Sequence, residues 1–241
     1  TCAARMNGSV DCWGFNDLGQ LGDGSVEVRD RPVRVLAIDN AVQVTAGRSH
    51  SCARTTSGAV HCWGGNHKGQ LGTGTTFLRS TEPRRVPGID DAIQIAAGAH
   101  HTCALSPDDR VRCWGERFGS RPKPVDELDH ARRIGTGFAA ATCIARDDGE
   151  IVCLEKKHDD MGFVHILPEE EGVPEPVVDL SIGDFHGCAV TENAKATCWG
   201  DNRYGQLGGG TSGDRDLAPF LLPGLEDVQQ VAAGHEHSCA L

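Results

Sequence analysis

The sequence predicts an all-β protein built from repeated antiparallel units, and three observations favour this fold class. Cysteines recur in pairs that stand ten residues apart. The first cysteines of successive pairs are 40 to 51 residues apart, a period typical of stacked or radially arranged units. The chain is rich in turn residues, with 31 Gly and 11 Pro, and shows no long apolar period of the helical kind.

Each cysteine pair predicts a β-hairpin. Pairing Cys52 with Cys62 places Arg54 opposite Val60 and leaves the loop Thr56–Ser57–Gly58 between the strands. Loops of this length usually end in a left-handed residue, a conformation that glycine adopts without a Cβ clash. The equivalent residues of the other hairpins are Gly8, Asp109, Gly149 and Ala194, of which Ala194 fits least well.

The same register predicts disulfides, because it places both sulfurs of a pair opposite each other on one sheet face. The expected pairs are Cys2 with Cys12, Cys52 with Cys62, Cys103 with Cys113, Cys143 with Cys153 and Cys188 with Cys198. Cys239 begins a sixth unit and is expected to be unpaired, although a closed ring would pair it with Cys12. Reduced buried thiols and metal ligands remain alternatives. Histidines two residues before a first cysteine could join a metal site, but the short Cys-x-x-Cys spacing is missing.

Length, charge and cysteine content indicate which classes of protein this chain can belong to. A chain of 241 residues can bury a substantial core within one domain. The net charge of −11 is spread along the chain, which argues against a nucleic-acid surface. No apolar run approaches the length of a membrane span. Paired cysteines indicate an oxidising compartment, so we expect a secreted, periplasmic or cell-surface protein, cut from a longer precursor with any signal peptide upstream.

A longer motif recurs around the cysteines. It runs His-x-Cys-Ala, then Cys-Trp-Gly-x-Asn-x-x-Gly-Gln-Leu-Gly, at Ser9 to Gly24, Gly47 to Gly74 and Gly183 to Gly210, with a partial copy at Gly98 to Gly115. This motif resembles the regulator of chromosome condensation repeat. Because of its cysteines, it looks like a secreted bacterial branch of that family.

The resemblance implies a β-propeller of four-stranded antiparallel blades, usually seven of them. We therefore expect residues 1–241 to form a single repeat domain, about five blades of a partial or truncated ring. Its units begin near residues 1, 42, 93, 133 and 178, with a partial unit from 228.

The residues support a propeller separately from the resemblance. Ala-Ala-Gly-like stretches, such as Ala96–Ala97–Gly98, suit strands that crowd near a central axis. Tryptophans at equivalent positions should fill the space between blades, namely Trp13, Trp63, Trp114 and Trp199. The Gly-Gln-Leu-Gly segments predict turns, since no helix pattern or Gly-Lys-Ser/Thr follows them.

One region departs from the motif. Leu154 replaces the tryptophan, and a charged stretch follows from Glu155 to Glu171. We interpret it as a degenerate blade with a solvated loop, or alternatively as a specialised binding edge. On the first interpretation, Glu155 to Pro176 is expected to be the least regular and most mobile part of the chain.

These features favour a non-enzymatic binding or scaffold module that presents loops to a protein or cell-surface ligand and needs no cofactor. Few aromatic residues are evident for a tight interface, with one Tyr and seven Phe in the chain. The resemblance also implies two alternatives: an exchange-factor-like regulator of a small GTPase, and an inhibitor of a secreted enzyme such as β-lactamase. An enzyme is disfavoured, because the candidate pair His235 and His237 lacks the spacing of helical zinc sites and recurs in weaker form in every unit.

Overall fold

The computed structural model describes residues 1–137, 141–157, 160–165, 175–213 and 216–241. Within these ranges the regular structure is β-strand, apart from one turn of 3-10 helix at Asp126–Leu128. No helix of the described residues has the length and hydropathy needed to cross a membrane. The chain divides into two compact units, Thr1–Asp129 and His130–Leu241.

Unit 1 contains one three-stranded and two four-stranded sheets, which we call repeats A, B and C. Every strand pairs antiparallel with the next strand in the chain. Repeat A consists of β1 (Cys2–Ala4), β2 (Val10–Gly14) and β3 (Arg29–Arg34). Repeat B consists of β4 (Ala41–Ala46), β5 (His50–Thr55), β6 (Val60–Gly65) and β7 (Arg79–Arg85). Repeat C consists of β8 (Gln94–Ala97), β9 (His101–Leu105), β10 (Val111–Gly115) and β11 (Gly119–Pro124).

Unit 2 continues the same pattern with two four-stranded sheets and a pair of strands, repeats D, E and F. Repeat D consists of β12 (Arg133–Thr136), β13 (Thr142–Ala145), β14 (Ile151–Lys157) and β15 (Asp160–His165). Repeat E consists of β16 (Val177–Ile182), β17 (His186–Thr191), β18 (Ala196–Gly200) and β19 (Asp216–Leu221). Repeat F consists of β20 (Val231–Ala233) and β21 (Ser238–Ala240).

The predicted hairpin register is confirmed. Cys52 lies opposite Cys62 and Arg54 opposite Val60, and the other four cysteine pairs are aligned in the same way. Gly58 closes its loop at φ 85°, in the left-handed region. Ala194, the poorest predicted match, is nevertheless forced into the same region, at φ 58°.

The sulfurs of all five predicted pairs lie within disulfide-bonding distance, and their Cα atoms are 4.0–4.1 Å apart. Four of the pairs contribute to the apolar core clusters of repeats A, B, D and E, and Cys103 and Cys113 of repeat C are fully buried. Cys239 is exposed and lies outside these pairs. The oxidation state of the protein as isolated stays a prediction, tested below.

The first strands of successive repeats crowd together, as the Ala-Ala-Gly stretches predicted. A Cβ added to Gly47 would collide with the carbonyl oxygen of Gly98, one repeat further on. The Gln43 side chain reaches the next first strand, accepting from Ile95 N at 3.0 Å and donating to Ile95 O at 2.9 Å. In unit 2, Gly183 approaches the carbonyl of Gly234 in the same way.

Three of the four tryptophans pack between consecutive repeats, which confirms their predicted role; Trp13, in the three-stranded repeat A, is half-buried. Trp63 and Trp114 are fully buried, and each covers a glycine of the preceding repeat, Gly22 and Gly72 respectively. A Cβ on either glycine would come within 2.8–2.9 Å of the indole ring. Trp199 joins the core of repeats D and E.

The charged stretch after Leu154 begins as regular structure. Residues up to Lys157 continue β14, which pairs with β15 at Asp160–His165 and completes a four-stranded sheet. Residues 158–159 and 166–174 lie outside the described residues. The expected mobility of this stretch is therefore untested and stays a prediction.

Candidate functional site

The repeats have two chemically different ends. At one end, repeats B, C, E and F turn from the first strand into the second at a Gly-x-x-His turn, and the third strand joins the fourth through a loop that contains the motif Asn in repeats A, B and E. We call it the long-loop end; its described segments are 47–49, 98–100, 183–185 and 234–237, with loops 15–28, 66–78, 116–118 and 201–213. The opposite, hairpin end carries the short turns such as 5–9 and 56–59 and the connections between repeats.

The motif side chains of the long loops form hydrogen bonds to backbone groups of their own loop. Asn66 is buried, accepts from Leu71 N at 3.0 Å and donates to Thr75 O at 3.0 Å. Gln70 accepts from Lys68 N at 2.9 Å through its side-chain oxygen. Asn16 with Gln20, and Asn202 with Gln206, repeat these bonds. The loops are therefore fixed from within, as backbone groups in a buried turn require.

A second repeated network joins neighbouring repeats. Thr102 Oγ1 donates to Gln70 O at 3.1 Å and accepts from His50 Nε2, 2.9 Å away. Trp114 Nε1 donates to the same Gln70 carbonyl at 2.9 Å. In unit 2, Ser238 takes the place of Thr102, between His186 at 2.8 Å and the Gln206 carbonyl at 2.9 Å.

This network defines what the histidines do. Burial, followed by the charge of His101, lowers the pKa of His50 to about 3, so its ring is neutral at physiological pH. Burial likewise lowers the pKa of His101 to about 4. The Nε2 atom of His50 is hydrogen-bonded to the Thr102 hydroxyl of the next repeat and is not free to bind a metal. Across the described residues, no group of three or more His, Cys, Asp or Glu side chains is arranged to hold a metal ion.

Residues between the motif positions face outward at the long-loop end. Phe15, Phe77 and Tyr204 are 65%, 77% and 66% exposed, and Phe185 is half exposed. A count of aromatic residues does not identify these anchors, because it does not assign them to an end of the repeat. The motif does identify two of them: Phe15 is the variable residue of Trp-Gly-x-Asn, and Phe185 is the second variable residue of Gly-x-x-His.

The long-loop end of unit 2 combines these aromatics with acidic groups. His235 Nδ1 bonds Asp184, and its ring lies 5.6 Å from the ring of Phe185. Arg203 pairs with Asp201 at 2.6 Å. Glu236 stands beside His235. The surface thus offers exposed rings surrounded by charge, the composition typical of protein-binding sites.

Unit 2 also contains a cavity of about 320 Å³. Its walls include Leu207, Gly208 and Leu222. These residues correspond to Leu71, Gly72 and Val86, which surround Trp114 in unit 1. The cavity therefore belongs to the packing scheme of the repeat and does not by itself indicate a ligand site.

Comparisons with known proteins agree with the repeat. The family model described as "Regulator of chromosome condensation (RCC1) repeat" matches residues 7–54, 57–105 and 198–241, and a second model of the same repeat matches 41–70 and 177–206. The E3 ubiquitin-protein ligase HERC2 of Homo sapiens is 31% identical over 265 residues, which cover 99% of this chain and 5% of that protein. The ultraviolet-B receptor UVR8 of Arabidopsis thaliana is 28% identical over 270 residues, covering 100% of this chain and 60% of the receptor.

Solved structures show the same fold. Human WBSCR16 superposes with a TM-score of 0.80 at 22% identity, covering 97% of this chain and 67% of that one. Prp20p of Saccharomyces cerevisiae, described with its binding properties to Gsp1p and histones, superposes with a TM-score of 0.78 at 22% identity, covering 99% and 65%. The likeness confirms the predicted all-β propeller class.

Proposed function

Since the chain belongs to the regulator of chromosome condensation repeat family, we propose that it is a non-enzymatic module that binds another protein through the long-loop end of its repeats. The proposal concerns this chain alone. It spans 5% of HERC2 and 60% of UVR8, so the activities named for those whole proteins are not assigned to it.

One observation carries the proposal. At the long-loop end the motif side chains are buried and bonded within the framework, whereas the residues between them are exposed and vary from repeat to repeat. A rigid backbone that presents variable side chains loses little conformational entropy on binding. The exposed Phe185 and Tyr204 supply the aromatic area that protein interfaces favour.

The cysteine pairs support a location for this binding. Five pairs at bonding distance in one chain suit an oxidising compartment. We therefore propose that the protein acts outside the reducing cytosol, as a secreted, periplasmic or cell-surface module of the bacterial type. Its partner is then a protein or ligand met at that surface.

A second candidate function is the regulation of a small GTPase. The structure of Prp20p is described with its binding to Gsp1p, and that protein shares the fold of this chain. The exported location that we propose argues against this candidate. Inhibition of a secreted enzyme such as a β-lactamase is instead a particular form of the leading proposal, since it needs only a binding surface.

The experiment compares two pairs of substitutions that remove exposed apolar side chains from opposite ends. The test variant is Phe185→Ser with Tyr204→Ser; the matched control is Met6→Ser with Ile93→Ser, at the hairpin end of unit 1. Each protein is immobilised and used to capture partners from native cell-surface extract. We expect the test variant to lose at least tenfold of the specifically captured protein and the control to retain it. Equal capture by all three proteins would contradict the proposal.

A further inference from the structure

The cavity of unit 2 lies at a kind of junction between repeats that holds a tryptophan ring in unit 1. At the junction of repeats A and B, the indole of Trp63 covers Gly22, and its Nε1 donates to Gln20 O at 3.0 Å. Ser51 Oγ donates to the same carbonyl at 2.9 Å. The junction of repeats B and C is built in the same way around Trp114. A tryptophan is thus the side chain that this kind of junction receives.

The junction of repeats E and F presents the same groups to the cavity. Ser238 Oγ donates to Gln206 O at 2.9 Å, as the corresponding serine does in unit 1. Gly208 has a φ of 74°, close to the 69° and 70° of the two glycines under tryptophans. In the described part of unit 2, a Cβ added to Gly208 would meet Leu222 at 3.0 Å and no indole ring. We call this site, lined by Gln206, Leu207, Gly208, Leu222 and Ser238, the socket.

A free strand edge adjoins the socket. In repeat B, β5 pairs with β4 on one side and with β6 on the other, and Ser51 lies opposite Trp63. The equivalent strand of repeat F, β21, pairs with β20, and within the described residues no strand pairs with its other side. An extended segment can add to such an edge through main-chain hydrogen bonds. In the register of repeat B, a tryptophan of that segment would lie opposite Ser238, beside the socket.

We infer that the partner of the long-loop end of unit 2 adds an extended segment to β21 and inserts a tryptophan side chain into the socket. The inference rests on the proposed function, because Tyr204 and Glu236 of the long-loop end belong to the cavity wall. The indole would cover Gly208 and donate to Gln206 O, as Trp63 does at its own junction. A carbonyl oxygen has two lone pairs, so it can accept from the indole besides the serine hydroxyl. The cavity of about 320 Å³ lies within the range of ligand pockets, about 300–1,000 Å³.

The residue that follows the inserted tryptophan should be glycine. Gly64 and Gly115 follow the two seated tryptophans of unit 1, at φ 100° and 103°, a region that favours glycine. A Cβ on Gly64 would lie 2.6 Å from Ser49 O, in the turn between the first two strands. The equivalent turn of repeat F, 234–237, borders the socket. The recognised chemistry is therefore Trp-Gly within an extended segment.

The occupant that fits is a different protein rather than a second copy of this chain. All four tryptophans of the chain lie in strands that pair on both sides, namely β2, β6, β10 and β18. None of these strands can add to the edge of β21 without first losing a pairing within its own sheet. A partner that carries Trp-Gly on an unpaired segment avoids that loss.

The test titrates the intact chain with acetyl-Ala-Val-His-Ser-Trp-Gly-Gly-Asn-amide in a calorimeter. The peptide has the sequence of residues 59–66, with serine in place of the cysteine. We expect it to bind about tenfold more tightly than the same peptide with alanine in place of tryptophan, the effect of a buried aromatic anchor.

Two glycines of one loop provide the variant and its matched control. Gly208→Ala should remove the preference for tryptophan, because the added Cβ takes the position of the indole, as it would at Gly22. Gly210→Ala introduces the same backbone strain, at φ 79°, but none of the described residues lies within 4 Å of its Cβ. The control should therefore bind both peptides as the wild type does.

A second measurement does not depend on the folding of a variant. In the register of repeat B, the residue before the tryptophan lies opposite Cys239, as Cys62 lies opposite Cys52. The peptide is prepared with cysteine at that position, as a mixed disulfide with thionitrobenzoate. The Cys239 thiolate attacks the peptide sulfur, a disulfide joins peptide and chain, and thionitrobenzoate leaves as a coloured thiolate. We expect its release to be about tenfold faster when tryptophan rather than alanine follows the cysteine.

The outcomes separate the inference from the proposed function. Partner capture that Gly208→Ala weakens and Gly210→Ala leaves unchanged would support both. If the peptides bind equally, or capture depends on Phe185 and Tyr204 but not on Gly208, the inference falls and the proposed function stands. If capture depends on none of these residues, both fall.

Two other occupants of the socket would also overturn the inference. Self-association of the chain that Gly208→Ala abolishes would identify a second copy as the occupant. Loss of peptide binding in a longer natural form of the protein would show that its own chain fills the socket.

Discussion

The hydroxyl of Thr102 connects two repeats, and its removal tests whether the repeated histidines are structural. In Thr102→Val the side chain keeps its shape but loses both hydrogen bonds, to His50 Nε2 and to Gln70 O. The Gln70 carbonyl still accepts a hydrogen bond from the Trp114 indole. Losing the hydrogen bond from Thr102 to this carbonyl should therefore cost about 1 kcal/mol. The fully buried His50 N–H is left without that acceptor, which should cost about 1–3 kcal/mol more.

We therefore expect Thr102→Val to lower the free energy of unfolding by about 2–4 kcal/mol, the sum of those two costs. Thr102→Ser keeps the hydroxyl and removes one methyl group, which should cost about 1 kcal/mol. Both variants are measured by equilibrium urea unfolding followed through tryptophan fluorescence, without reductant. If Thr102→Val were no less stable than Thr102→Ser, the hydroxyl would not hold the repeats together and the histidines would need another explanation.

Three further predictions follow from particular residues. Because burial lowers the pKa of His50 to about 3, the unfolded chain binds a proton below pH 6.5 that the native chain does not. Between about pH 6.5 and pH 3 this one histidine should lower the free energy of unfolding by up to about 1.4 kcal/mol per pH unit, and His50→Gln should flatten the slope of unfolding free energy against pH by that amount. Ala194→Gly should raise the free energy of unfolding by about 0.5–1 kcal/mol by relieving a left-handed alanine, whereas Gly58→Ala at the equivalent position should lower it and reduce the Tm, because its Cβ would strike backbone atoms. Peptide mapping without reductant should find the five hairpin pairs linked and Cys239 as a free thiol; a peptide linking Cys12 to Cys239 would contradict this pairing.

The local fold could be predicted from the sequence because each hairpin is encoded within a few residues. The cysteine spacing and the glycine of the loop define the register between Cys52 and Cys62, and the structure has that register. The same loop length predicts a left-handed residue at position 194, where alanine is the poorest match, and the structure has Ala194 at φ 58°. All five hairpins have the same loop length, and this length favours a left-handed residue at the end of the loop. The loop therefore imposes that conformation even where the residue is alanine.

The candidate site was less predictable, because its interactions join residues about fifty positions apart. His50 shares a sheet face with its cysteine, as expected, but its partner is Thr102 in the next repeat. The outward orientation of Phe185 and Tyr204 depends on which motif neighbours are held inside the turn. The sequence pattern within one repeat predicts neither the contact between His50 and Thr102 nor the outward orientation of Phe185 and Tyr204.

In the proposed function, partners bind at the long-loop end while the hairpin end only completes the framework. Hydrogen exchange of the chain, with and without the protein captured from cell-surface extract, tests this claim most directly. We expect slower exchange on binding at long-loop segments, such as 98–100, 183–185 and 202–205, with no change at the turn 56–59 or the connection 86–93. Protection confined to the turn 56–59 and the connection 86–93 would contradict it.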